Sequence, residues 1–213
     1  MMKYRRTFIA ALFIVLMLAG CDQQTALPQE PDSGPATQSD NLEVFFSDPG
    51  GPNADSQRNG PDRALADTIE QARISVDVAM YDLNLWSVRN ALIDAHENGV
   101  VVRVIAEANY LDRAEFNDLI DAGITVLPDL NDNLMHNKFV IIDHYEVWTG
   151  SMNMTLNGAY HNDNNLLRIR STKASEAYLA EFDEMFTDRI FGPASPHSSG
   201  TVFSLDGIEI EVY

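Results

Sequence analysis

The sequence predicts an α/β protein, a mixed β-sheet flanked by helices in a sandwich. Three observations predict it. Apolar runs of strand length alternate with stretches of helical periodicity through the middle of the chain. Strand-like runs then follow one another closely from Lys138 to Arg170, with no strong helical pattern between them. Several runs, such as VVVRVIA (100–106) and KFVIID (138–143), are apolar at consecutive positions, as strands are when both sheet faces are covered.

The first element, LEVFF (42–46), is rich in aromatic and β-branched residues, and the loop SDPGGPNADSQRNGPD (47–62) that ends it is dense in Gly, Pro and Asn. Arg63 to Ala72 carries Leu65, Ile69 and Ala72 at helical spacing. ISVDVAMYDL (74–83) alternates as a strand, and its Tyr81-Asp82-Leu83 corner falls where α/β sheets place ligands, although loop packing is the commoner reason for such a corner. Trp86 to Asn98 reads as a helix with Val88, Leu92 and His96 on one side and Gly99 just past its end. Ala114 to Ala122, stopped by Gly123, is a second helix between the strands VVVRVIA and ITVL (124–127). The cluster KFVIID, EVWTG (146–150) and NNLLRIR (164–170) follows, with a turn at His144-Tyr145. Ala174 to Thr187 closes the series as a helix anchored by Ala177, Phe182, Met185 and Phe186. Trp86 and Trp148 are expected in or near the core, His96 as a helix C-terminal residue, and His161 in a solvent-facing loop.

Residues 41–192 therefore form one globular lobe, and 193–213 stand apart. PHSSG (196–200) is a linker, and GIEIEVY (207–213) begins another strand. Its likeness to NLEVFF (41–46) favours the start of a second, truncated lobe. An edge strand completing the same sheet is the alternative.

The N-terminus has a different character. Lys3, Arg5 and Arg6 precede an apolar stretch, Phe8 to Leu18, too short to span a membrane as a mature helix. The stretch ends in Leu-Ala-Gly-Cys, which resembles a bacterial lipobox: 1–20 reads as a lipoprotein signal peptide and Cys21 as the lipidated new N-terminus. Asp22 resembles an inner-membrane retention signal. Residues 21–40, rich in Pro, Ser, Gln and Asp, read as a flexible tether. The expected location is the outer side of the cytoplasmic membrane or the cell surface. Cys21 is the only cysteine, which excludes an internal disulfide and a thiolate metal site. The formal charge of −18 opposes long-range attraction to nucleic acid and anionic lipid.

Against that acidic background, MHNKFVIID (135–143) places a His and a Lys two apart at the head of an apolar strand, where they share one face. Beyond the leader the chain has no lysine but Lys138 and Lys173. His136, Lys138 and Asp143 spell H-x-K-x-x-x-x-D, and TGSMN (149–153) follows after a short turn, supplying Gly150, Ser151 and Asn153.

This combination resembles the phospholipase D superfamily, in its motif over 136–165 and in its element order over 41–190. The resemblance implies a catalytic set of His136, Lys138, Asp143 and Asn153. The imidazole of His136 would be the nucleophile that attacks phosphorus, or else the acid that protonates the leaving oxygen. Lys138 and Asn153 would hold phosphate oxygens, with Ser151 assisting from the same turn. Asp143, at the far end of the strand, takes a structural role in the corner. In single-lobe nucleases of the family a Glu orients the His. Asn164 stands in its place and is a candidate substrate contact, with Asp163 beside it as a substitute. Neither cofactor nor metal is implied.

Family members build one site from two such motifs, and this chain has one. His96, His144, His161 and His197 all lack a lysine two residues on. A homodimer or a missing second lobe would complete the site. The functional expectation is a membrane-tethered phosphodiesterase acting on phospholipid head-group diesters. A metal-independent homodimeric endonuclease is one alternative, and a non-catalytic supporting lobe is another. A basic groove beside His136 would favour the nuclease, an apolar rim the lipid enzyme, and a buried His136 the inert lobe.

Overall fold

The computed structural model describes residues 40–130, 133–192 and 200–213. Strands β1 (Leu42–Phe46), β2 (Ser75–Met80), β3 (Val101–Ala106), β4 (Thr125–Pro128), β5 (Lys138–Ile142), β6 (Glu146–Gly150) and β7 (Asn165–Arg170) form one seven-stranded sheet. Its order is β1-β7-β6-β5-β2-β3-β4. β2, β3 and β4 are parallel, while β2-β5, β5-β6, β6-β7 and β7-β1 are antiparallel, so the mixed sheet is as expected.

The topology follows from the connections. The parallel strands are joined by helices α2 (Trp86–Glu97) and α3 (Ala114–Asp121), because a parallel return needs a crossover. β5 and β6 are joined instead by a tight turn in which Asp143 and His144 both take φ of 54°.

Both faces are covered. On one, α1 (Pro61–Ile69), α2, α3 and α4 (Leu156–Tyr160) bury Leu65, Ile69, Leu92, Phe116 and Leu119 against alternate residues of β2, β3 and β5. Fully buried Leu and Ile side chains each contribute roughly 2 kcal/mol of transfer free energy. On the other face α5 (Thr172–Asp183), continued by a wider turn through Asp188, sets Phe182 and Met185 against Ala79, Ile105, Phe139 and Ile141. Among the described residues no helix is long and apolar enough to cross a membrane.

Three expectations change. The short α4 inside the Asn-rich segment was not legible, for reasons local to the site turn. Trp86, expected near the core, is 66% exposed at the first turn of α2, where its indole N–H donates to Glu115. Trp148 is fully buried and stacked on Phe45. The closing run is not an edge strand of the large sheet. It is β9 (Ile208–Val212), paired antiparallel with β8 (Thr201–Leu205) in a hairpin of its own. Phe203, Ile210 and Val212 pack this hairpin on Val147, Ile169 and Ala174. The physical reason is pairing: 201–205 supplies a local partner, two residues away across Asp206-Gly207, both at positive φ. The expected signal peptide (1–20), Cys21 and most of the expected tether (21–40) lie outside the described residues.

Candidate active site

The sheet register gathers the motif at one end. Met80 pairs with Lys138 and with Ala106, Ala106 with Pro128, Gly150 with Leu166, and Phe46 with Asn165. The residues just beyond this row are Tyr81, Glu107, His136, Ser151 and Asn164. This is the end where parallel strands finish, and α/β sheets hold ligands there.

His136 is exposed, in the short stretch before β5. Its ring meets Tyr81 edge-on, with centroids 4.9 Å apart and planes at 78°. The inert-lobe expectation of a buried His136 is not met. Lys138 is 9% exposed. Its ammonium donates to the His136 carbonyl at 2.8 Å and lies 5.4 Å from the centre of the Tyr81 ring. Burial pulls its pKa below the ordinary lysine value of 10.5. The segment entering the site is fixed from below: the buried Glu107 carboxylate accepts from the Met135 N–H at 2.7 Å and from the Asn109 amide at 2.6 Å. Tyr81 is a phenol throughout the useful pH range. Its hydroxyl shares a 3.1 Å hydrogen bond with that of Tyr110, and this bond is the first cause pushing its pKa up to about 12.

Gly150 is required by a close approach: a Cβ there would sit 2.4 Å from the Asn165 carbonyl oxygen, at φ 154°. Ser151 closes the same crossing. Its hydroxyl donates to Asn164 Oδ1 at 2.9 Å and accepts from the Asn165 N–H at 3.0 Å. Asn164 also donates its amide N–H to the Gly158 carbonyl at 2.9 Å. Ser151 and Asn164, expected as substrate contacts, thus hold each other and the Gly158 carbonyl in the turn at the site end of the sheet. Asp163 is exposed.

Asn153 is different. Its side-chain oxygen is buried without a partner among the described residues. The turn carrying it is rigid: the Asn153 carbonyl accepts from Thr155 N–H at 2.7 Å, and Gly158 fits only because a Cβ would lie 2.3 Å from that carbonyl. Thr155 caps α4 by accepting from Gly158 N–H at 3.0 Å, and Asn84 ties in the loop after β2 by accepting from Leu156 N–H at 2.7 Å. No lone-sequence signal marks Asn84 or Glu107, whose roles depend on partners far along the chain.

Asp143 lies at the opposite end of β5 from His136. Its carboxylate accepts from the backbone N–H groups of Arg73 (3.0 Å), Ile74 (2.7 Å) and Ser75 (3.1 Å). It braces the entry to β2, away from the His136 end of the strand. The described residues contain no group of His, Cys, Asp or Glu that could hold a metal.

The electrostatic surroundings are quiet. Arg63, Arg89, Arg103, Arg113, Arg168 and Arg170 are each paired with carboxylates. Exposed apolar side chains stand at the site end of the sheet instead: Phe46 at the end of β1, Trp86 after β2, and Leu130 and Leu134 between β4 and His136.

Residues 65–186 match the family model described as "Cardiolipin synthase, PLD-like domain". Mitochondrial cardiolipin hydrolase of Xenopus tropicalis is 30% identical over 127 residues, 59% of this chain and 60% of that protein. Phospholipase D of Rickettsia prowazekii is 32% identical over 127 residues, 56% of this chain and 60% of that protein. The chain thus spans about 60% of the length of these curated relatives. Among solved structures, Nuc from Salmonella typhimurium, a phospholipase D family member, superposes with a TM-score of 0.58 at 25% identity, covering 67% of this chain and 91% of Nuc. NucT from Helicobacter pylori shares the fold at a TM-score of 0.54 and 20% identity, covering 68% of this chain and 94% of NucT. The matched family model extends over more than half of the chain and over all of its H-x-K and G-S-x-N residues, and the chain belongs to the phospholipase D superfamily.

Proposed function

We propose that the chain is a phosphodiesterase that hydrolyses phospholipid head-group diesters, with His136 as its nucleophile. The observation that carries the reading is the placement, at one end of the sheet, of an exposed His136 whose ring meets Tyr81 and a buried Lys138 whose ammonium donates to the His136 carbonyl. A neutral His136 nitrogen attacks phosphorus, and the P–O bond to the leaving alcohol breaks as a phosphohistidine forms. Lys138 and the Asn153 amide N–H stabilise the negative charge on the non-bridging oxygens. Water then attacks the phosphohistidine, releasing phosphomonoester and free imidazole.

The leaving alkoxide needs a proton, and this lobe offers one imidazole at the site. A second copy of the chain, or a second lobe, supplies the acid. The names of the curated relatives, cardiolipin hydrolase and phospholipase D, support a lipid diester. So do the exposed apolar side chains at the site end of the sheet. Lipidation of Cys21 would hold the site at a bilayer.

The test is release of head group from mixed phospholipid vesicles by the full-length protein, beside cleavage of single- and double-stranded DNA, each with His136→Ala. Head-group release lost in the variant is expected. DNA cleavage lost in the variant, without lipid turnover, would move the assignment to the nuclease. The mass of the N-terminal peptide, compared with Cys21→Ser, tests the anchor.

A further inference from the structure

We infer that Tyr81 is a positioning residue for the site: its ring sets the angle of the His136 imidazole and holds the Lys138 ammonium beside it. The inference rests on the reading of His136 and Lys138 as the reacting pair, and it concerns a residue outside the H-x-K and G-S-x-N motifs.

One aromatic ring touches both groups. The edge-on approach to His136, at 4.9 Å and 78°, is the arrangement that the ring quadrupole favours. The Lys138 ammonium, 5.4 Å from the same ring centre, is within cation–π range. Lys138 also donates to the His136 backbone carbonyl at 2.8 Å, so the ammonium is tied both to the Tyr81 ring and to the segment that carries the imidazole.

The ring itself is held from behind. Its hydroxyl meets that of Tyr110 at 3.1 Å, and the two rings pack at 4.9 Å and 70°. The Arg113 guanidinium lies 5.4 Å from the centre of the Tyr110 ring and grips Asp82 with two bonds of 2.6 and 2.7 Å. Asp82 is the next residue after Tyr81, so the support closes back on the same backbone corner. An imidazole on an exposed segment would otherwise sample several rotamers, and catalysis by a nucleophile depends on the fraction of time it is aligned. A Leu at this position fills space but offers neither a quadrupole nor a flat edge. A Phe keeps both and loses only the tether to Tyr110.

The experiment uses full-length protein with labelled histidine, the His136 ring signal being identified by its loss in His136→Ala. Tyr81→Leu is expected to move that signal toward the free-histidine position as the ring current is removed. With the vesicle substrate it is expected to lower kcat about tenfold at little changed KM, a loss of about 1.4 kcal/mol in transition-state stabilisation. Tyr81→Phe and Tyr110→Phe each remove the same hydroxyl–hydroxyl bond and keep both rings, so both should keep the signal and most of kcat. A His136 signal unmoved in Tyr81→Leu overturns the inference. So does a loss of kcat that Phe fails to restore and that follows the melting temperature. If the wild-type protein turns over no diester, the phosphodiesterase reading fails, while the ring-current comparison still decides whether Tyr81 sets His136.

Discussion

Replacing Asp143 separates the two roles that a motif aspartate can have. Its carboxylate takes three backbone N–H groups, from Arg73, Ile74 and Ser75, at 2.7–3.1 Å. A hydrogen bond to a charged group contributes about 1.5–3 kcal/mol, but these donors lie near the surface and can turn to water, so roughly 1 kcal/mol each is the appropriate scale. Asp143 also sits at φ 54°, where Ala is disfavoured by about 1 kcal/mol relative to Asp or Asn. Asp143→Ala should therefore destabilise by about 4 kcal/mol, and Asp143→Asn, which tolerates this φ and keeps one acceptor, by about 1 kcal/mol. For a chain of this size each kcal/mol corresponds to about 2–4 °C in Tm, giving a fall of roughly 10 °C for Ala and a few degrees for Asn. Calorimetry gives the stability, and kcat measured well below both melting points gives the chemistry, which should stay within about twofold of wild type. A hundredfold loss of kcat in Asp143→Asn with Tm unchanged would refute the structural assignment and return the carboxylate to the catalytic set.

Two further outcomes follow from buried charges. The Lys138 pKa is depressed by burial, so the folded state bears the full penalty of the buried ammonium in acid. That penalty is relieved as pH rises through the lowered pKa toward the unfolded lysine value of 10.5. Lys138→Met should accordingly raise Tm below that window while lowering kcat/KM about 10²–10³-fold. In the wild type the alkaline limb of kcat/KM should fall below pH 10.5, and a limb at or above it would contradict the burial argument. Glu146, 8% exposed, accepts from Trp148 at 2.7 Å and from Arg168 at 2.8 and 3.0 Å. Removing one partner of such a buried group costs about 3–5 kcal/mol, so Glu146→Ala should show this loss in urea unfolding, with kcat of the folded fraction unchanged. A loss under 1 kcal/mol would mean that water replaces the carboxylate.

Much of the fold was legible in the sequence because its signals are local. The consecutive apolar runs at 100–106 and 138–143 mark doubly covered strands, and Gly99 and Gly123, both at positive φ, mark helix ends. The spacing of His136 and Lys138, joined to Gly150-Ser151-Met152-Asn153, was enough to indicate the family. α4 escaped because five residues, Leu156 to Tyr160, are too few to show a period. Trp86 was misplaced because hydrophobicity alone does not say which side of a helix N-terminus faces solvent.

What the sequence by itself determined, then, is most of the strands and helices and the residue types of the motif, since periodicity and residue type are carried by the chain whatever its partners. Only the tertiary structure decided where the motif residues stand relative to one another. The register across β2, β5, β6 and β7 sends Asp143 to the far end of the sheet and locks Ser151 and Asn164 into a turn, while it brings in Tyr81 and Glu107 from strands 55 and 29 residues before His136. Such long-range pairings depend on packing the whole sheet at once, and no local stretch of sequence encodes them.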